Sequence, residues 1–591
     1  MTWATLRKYS TLAVTTAAAA VAFFYPPSVH AELPEQLEAT EAHSRLGMVA
    51  TGSPEATDAA VRVLESGGNA IDAAVTASLV LGVADSDASG LGGSTNLMIR
   101  LADGRAVTFD GTAPVPGQFD LEALQAAAEA GTNTGHQMVA VPTTLAVLDL
   151  ALRKYGTITM AEALQPAIDL AKHGYSLSEI QITWTRWYYD DLLVASSYYP
   201  FLIMEDGKTL GTPGDRICNH DLAQTLRRIA KEGVSSFYRG TIADQIEADM
   251  ISNGGNLRKG DLARLRVTER HPVSTTYRGV EVLSVPSPGG GVTLLEALNI
   301  LETLPSEFLA EDSLDRHHAM IEAVRIARAD RASSGGVMLP AGMHGSSILS
   351  KRHAYARAQM IIPGEALAKT AISGPVDPEC LPAGESTTQA SIIDAHGNVV
   401  SFTQTLGRGF GGKVATPGLG FPYNNFLEGF RVDKPQCPGF LRPFAPCATD
   451  MAPSILVFHD GSIIAFGTPG SNGIPSIMIG VISNLVDREM GLRESVEAPR
   501  VLWGGIPAAN IQAEIAGAVT DTHMDALDSM GYELPALRVP FPALQIDIVD
   551  FGGVNAALYN PTEGAYTGVV DGRRGGLAKG PRVVAASNRD E

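Results

Sequence analysis

The sequence predicts an α+β fold in which two β-sheets are covered by helices on their outer faces. Two observations predict it: strand pairs occur in both halves of the chain, and the helices between them are apolar on nearly every face, so they belong against sheets rather than in water. A third observation bounds the class. With 591 residues, 45% hydrophobic and 18% charged, the chain can bury a large core and has the composition of an ordinary globular protein.

Taken in order, the chain opens with Arg7 and Lys8, an apolar run from Leu12 to Phe24, and Val29-His30-Ala31, with small residues at the two positions a signal peptidase inspects. This reads as a secretory signal peptide over residues 1–31, and it makes a periplasmic or secreted protein the expectation. The run is shorter than the roughly 20 residues of a spanning helix. Pro54 to Gly68 places Ala59, Ala60, Val63 and Leu64 at helical spacing before the stop signal Gly67-Gly68. Ile71 to Val83, IDAAVTASLVLGV, reads as a buried helix. Asn96 to Leu101 and Ala106 to Phe109 flank the turn Ala102-Asp103-Gly104 as a hairpin.

Leu222 to Ala248 is helical in two runs, and segment 274–285 is strand-like. Pro286 to Gly291 then turns the chain into the helix VTLLEALNILETL, whose first N–H groups would suit an anion. The second half is strand-rich: Thr388 to Ile393 and Val399 to Thr405 around DAHGN, then SILVF and SIIAFG around HDG. GTPGSNG and a second buried helix, IPSIMIGVISNLV, follow.

A formal charge of −20 argues against nucleic acid or an anionic membrane as a partner, because both are bound mainly through Lys and Arg. A small-molecule ligand is the expectation instead. The four cysteines, Cys218, Cys380, Cys437 and Cys447, are too few for a disulfide scaffold, although Cys437 and Cys447 could close one small loop. None lies in a CxxC or with histidines at metal spacing, so no zinc site and no cofactor is read from them.

The stretch GESTTQASIIDAHGNVVSFTQTL, Gly384 to Leu406, holds threonines with no base beside them. A threonine hydroxyl is a weak nucleophile, and one solution is to make the threonine N-terminal so that its own α-amine takes the proton. That amine has a pKa of about 7.7 to 8.0, so much of it is neutral near pH 7 to 8. Only self-cleavage creates such an amine inside a chain, and on that logic the STTQ stretch, Ser386 to Gln389, reads as a self-cleavage site.

Several blocks give this reading company: Ser66 to Val83, SGLGG (Ser89 to Gly93), PGDRICNHDLAQTLRRIA, YRGVEVLSVPSPGGGVTLLEALNIL, TTQASIIDAHGNVVSFTQTL, GTPGS (Gly467 to Ser471) and DGRRGGLAKG (Asp571 to Gly580). In these blocks and their order the chain resembles the γ-glutamyltransferase family of N-terminal nucleophile hydrolases. The resemblance implies a four-layer αββα sandwich, with a large subunit over 32–386 and a small one over 387–591 that stay together as a heterodimer. It places the nucleophile on Thr387, the threonine that hydrogen-bonds it on Thr405, and the backbone donors for the oxyanion on Gly470 and Ser471, where the family has two glycines.

The resemblance fails at the substrate. The arginine that holds the glutamyl α-carboxylate in the family falls on Asp110, and the family's Ser-Ser pair falls on Thr449 and Asp450. On the amino side, Gly407 replaces an asparagine, and FLEGF, Phe426 to Phe430, puts Glu428 and Gly429 where the family has two aspartates. Each lost charged hydrogen bond removes roughly 1.5 to 3 kcal/mol. The expected activity is that of an exported amide hydrolase or acyltransferase on an amide that is not γ-glutamyl. Relatives without the glutamate clamp include oxamate amidohydrolases, and others cleave cephalosporin side chains. A genuine glutathione hydrolase and a non-catalytic periplasmic binding protein on the same fold are the alternatives.

Overall fold

The structure is a computed structural model, and it describes residues 40–194, 211–333, 348–368, 386–435, 437, 439–504, 511–515, 517, 519–532, 537–540 and 551–582. Its two large sheets use fourteen strands: β1 (Thr40–Ser44), β2 (Gly47–Thr51), β3 (Ser94–Arg100), β4 (Ala106–Asp110), β5 (Thr268–Arg270), β6 (Val273–Tyr277), β7 (Val280–Ser284), β8 (Ser386–Asp394), β9 (Val399–Gly407), β10 (Ser454–Val457), β11 (Ile463–Gly467), β12 (Asn555–Asn560), β13 (Ala565–Val570) and β14 (Leu577–Lys579). One sheet has the order β1-β13-β12-β11-β10-β7-β6 and the other β14-β2-β8-β9-β3-β4-β5. Neighbours within each are antiparallel.

The sheets meet through Met48, Met98, Ile393 and Val399 of one and Leu283, Ile455, Ala465 and Ala557 of the other. Helices cover both outer faces. On one side lie α1 (Pro54–Glu65) and α2 (Ala70–Ala84); on the other lie α3 (Gly291–Glu302), α4 (Leu314–Ser333), α5 (Lys351–Ala358) and α6 (Ile474–Val486). This is the four-layer αββα sandwich. The helix α2 is buried along its whole length, as its all-round apolar pattern predicts. Asn69 and Asp72 form a capping box at its start, and the Ala70 N–H donates to Asp394 at the end of β8, 2.9 Å away.

Two expectations are corrected. Segment 274–285 is not one strand: it folds back as the hairpin β6–β7 at Arg278 and Gly279, whose φ values of 45° and 86° are those a tight hairpin turn requires. Cys437 is disulfide-bonded, but Cys447 is free and buried, so the two do not pair. The partner of Cys437 lies outside the described residues, as does the signal-peptide reading over 1–31.

Candidate active site

The hairpin β8–β9 builds the centre of the site. Its register sets Thr387 opposite Thr405 and Gln389 opposite Thr403, with an irregularity between Ser386 and Thr387. Residues directly opposite in an antiparallel pair point to the same face, so the hydroxyls of Thr387 and Thr405 converge. The Thr387 Oγ1 donates to Thr405 Oγ1 at 3.4 Å, and Thr405 Oγ1 accepts the Gly407 N–H at 2.9 Å. Ser386 begins β8 opposite Gly407, one peptide bond from the candidate nucleophile.

Glycines let backbone crowd this hairpin. A Cβ on Gly93, in the SGLGG block, would lie 2.3 Å from the Thr405 carbonyl oxygen, and one on Gly407, at φ +98°, would lie 2.2 Å from Asn425 Oδ1. Gln389, which has no obvious role in the sequence, supports the hairpin from between the sheets. Its Oε1 accepts from Thr403 Oγ1 at 2.6 Å and its Nε2 donates to Ser401 Oγ at 3.0 Å.

An open pocket meets Thr387 and Thr405. The predicted residues Gly407, Glu428, Thr449, Asp450 and Ser471 also line it, together with Ala113, Phe426, Cys447, Ala448, Met451 and Ile474. Asp110, Gly429 and Gly470 do not line it. The Asp110 carboxylate is drawn to the neighbouring strand, where Arg270 Nη1 donates to it at 3.0 Å, while its other oxygen accepts the Thr112 N–H. Gly429 ends a short 3-10 turn, Phe426–Gly429. Gly470 precedes Ser471, whose φ of 53° is a conformation that favours glycine and costs a serine about 1 to 3 kcal/mol.

Both acidic residues on the wall have their two oxygens engaged. Glu428 accepts from Arg408 Nε at 2.6 Å and from Asn425 Nδ2 at 2.8 Å. Asp450 accepts from Arg328 Nη2 and from Arg331 Nη1 at 3.0 Å. Both arginines come from α4 and are buried; Arg328 also donates to the Asn472 carbonyl at 2.7 Å, and Arg331 to those of Pro288 and Thr449 at 2.6 and 2.9 Å. Sequence reasoning missed them, although arginines at 325, 328 and 331 in an alanine-rich run carry a helical spacing. Thr112 Oγ1 is different: it is buried on the wall with no partner among the described residues.

Cys447 is a poor competitor for the role of nucleophile. Burial, and then the nearby Glu428, push its thiol up to about 12, and a protonated thiol does not attack. It serves as apolar lining.

A second cavity reaches Thr387 and Thr388, walled by Glu55, Asp85, Asp87, Tyr175 and Arg574. Arg574 Nη1 donates to the Thr387 carbonyl at 3.3 Å. Burial raises the Asp85 carboxyl to about 6 against the opposing pull of the Thr388 hydroxyl and Arg574. Asp87 rises to about 8, through burial and then the charge of Asp85.

A buried threonine at the start of a central strand, in an αββα sandwich, defines the class of N-terminal nucleophile hydrolases. Within it, the chain belongs to the gamma-glutamyltranspeptidase family, whose model matches residues 56–580. It is 34% identical over 549 residues to the acylase ACY 1 proenzyme of Pseudomonas sp. (strain SE83), covering 90% of this chain and 92% of that one. It is 33% identical over 556 residues to the glutathione hydrolase proenzyme of Pseudomonas sp. (strain A14), covering 90% and 94%. Among solved structures, the cephalosporin acylase from Bacillus halodurans superposes with a TM-score of 0.77 at 27% identity, covering 95% of this chain and 99% of that one. The chain is an enzyme of this hydrolase and acylase family. Among the described residues no helix is long and apolar enough to cross a membrane.

Proposed function

We propose that the chain cuts itself between Ser386 and Thr387, and that the freed Thr387 forms an acyl-enzyme on an amide whose acyl group is not γ-glutamyl. The Thr387 hydroxyl attacks the carbonyl, its α-amine takes the proton and returns it to the leaving amine, and water releases the acid. Thr405 orients the hydroxyl from across the hairpin. Backbone N–H groups at Gly470 and Ser471 are assigned the oxyanion, the role that such fixed donors fill without reorganisation.

One observation carries the choice of acyl group: the charged residues on the wall, Glu428 and Asp450, are each engaged at both oxygens. A free glutamyl group brings an ammonium and a carboxylate that both need partners, and desolvating them unpaired costs several kcal/mol. A neutral acyl chain lies instead against Phe426, Met451 and Ile474, with Thr112 Oγ1 available for one polar atom. The relatives named acylase support this reading, and the relatives named glutathione hydrolase mark its alternative.

The test is a panel of anilides. Neutral aliphatic and aromatic acyl anilides, and a cephalosporin amide, are turned over with a kcat/KM at least about tenfold above that of γ-glutamyl anilide, a difference of roughly 1.4 kcal/mol. Faster turnover of γ-glutamyl anilide or glutathione would reverse the assignment.

A further inference from the structure

Away from the pocket, three side chains of metal-ligand type converge from three helices. Glu296 on α3, Asp330 on α4 and His353 on α5 each place one ligand atom within 4.8 Å of the others. His353 Nε2 is 3.2 Å from Glu296 Oε1 and 2.8 Å from Asp330 Oδ2. Glu296 is fully buried, and its Oε2 has no hydrogen-bond partner among the described residues. An ionisable group in that position is costly unless it is paired or coordinates a cation.

We propose that Glu296, Asp330 and His353 form a binding site for a divalent transition cation, with Zn²⁺ the ion that one imidazole and two carboxylates suit. With metal–ligand distances of roughly 2.0 to 2.2 Å and tetrahedral angles, the ligand atoms would stand roughly 3.4 Å apart. The present spacings of 2.8 and 3.2 Å need to open only by a few tenths of an ångström. His353 is partly exposed, with 29% of its side chain accessible, which gives the ion a way in and leaves a coordination position for water. Arg357, with Nε 2.8 Å from Asp330 Oδ2, holds the aspartate from outside the ligand set.

The site is structural, and it does not depend on the assignment of Thr387. It ties α3 and α5 to α4 at Asp330, the residue before Arg331, which pairs with Asp450 on the pocket wall. Its ligands lie 34 and 23 positions apart in the chain (330 − 296 and 353 − 330), so no local motif announces it.

The test uses the purified full protein, stripped with a chelator, dialysed, and titrated with ZnCl₂ alone by calorimetry and metal analysis. About one Zn²⁺ per chain with a Kd at or below about 10 μM is expected, and Co²⁺ in its place should show visible d–d absorption. Glu296→Gln, which retains a hydrogen-bonding group toward Asp330, should weaken Zn²⁺ at least tenfold, as should His353→Gln. His271→Ala, at an exposed histidine elsewhere, should leave it unchanged. If the wild type takes up no Zn²⁺ in this range, or if Glu296→Gln and His353→Gln bind it as the wild type does, the cluster is a carboxyl pair sharing a proton and the proposal is overturned. Should one ligand variant fail to fold, the other decides.

Discussion

Replacing Asp450 by serine, the residue the family resemblance leads one to expect, should damage the protein rather than restore glutamate binding. Arg328 and Arg331 are buried at 3% and 5% exposure, and both donate to the Asp450 carboxylate. Removing that carboxylate strips both buried guanidinium groups of the anion they share on the pocket wall. Breaking a buried pair in this way costs about 3 to 5 kcal/mol. With an unfolding entropy of about 2.1 cal/mol/K per residue, a chain of this length would lose about 2.5 to 4 °C in Tm. Scanning calorimetry of Asp450→Ser beside the wild type measures it, with γ-glutamyl anilide turnover as a second readout. A variant that melts within about 1 °C of the wild type, or one that gains γ-glutamyl turnover, would refute the view that Asp450 neutralises α4 rather than recognising substrate.

Further predictions concern the nucleophile, the wall and pH. Thr405→Val removes the hydroxyl that Thr387 donates to and should lower kcat at least about tenfold with little change in KM; an unchanged kcat contradicts the assignment. Thr112→Val should raise KM for the best neutral substrate about five- to tenfold, the equivalent of one neutral hydrogen bond, while Tm stays level. Asp87, raised to about 8, keeps in the folded chain a proton that the unfolded chain releases near pH 4. Stability is therefore lost as pH rises between about 4 and 8, by up to about 1.4 kcal/mol per unit. Asp87→Asn should match the wild type near pH 4 and melt higher than it at pH 8; parallel Tm–pH curves would show that Asp87 is not protonated in the folded state.

The hairpin of the candidate site was legible because its signals are local. Alternating residues around DAHGN predict β8 and β9 nearly to their ends and put Thr403 on one face with Thr405, and the register sets Thr405 opposite Thr387. The buried helices α2 and α6 were equally plain. What the sequence hides is pairing between distant segments. Asp110 stands where the family has its carboxylate-binding arginine, but only the β4–β5 pairing reveals that its charge goes to Arg270, 160 positions away. Asp450 looks like a recognition group until Arg328 and Arg331 arrive from α4. Gly407 looks like a missing asparagine, yet Asn425 fills that space from another loop, so a glycine is the residue that fits. Gln389 had no reading at all, because its partners include the opposite strand of its own hairpin and the space between the sheets.

The central claim is that Thr387 becomes an N-terminus. Denaturing electrophoresis of the purified wild type, with N-terminal sequencing of the smaller band, tests it most directly. The expected result is two bands, the smaller beginning Thr-Thr-Gln-Ala-Ser, and a single uncut band for Thr387→Ala. A single band for the wild type, or a small chain starting elsewhere, would contradict the account.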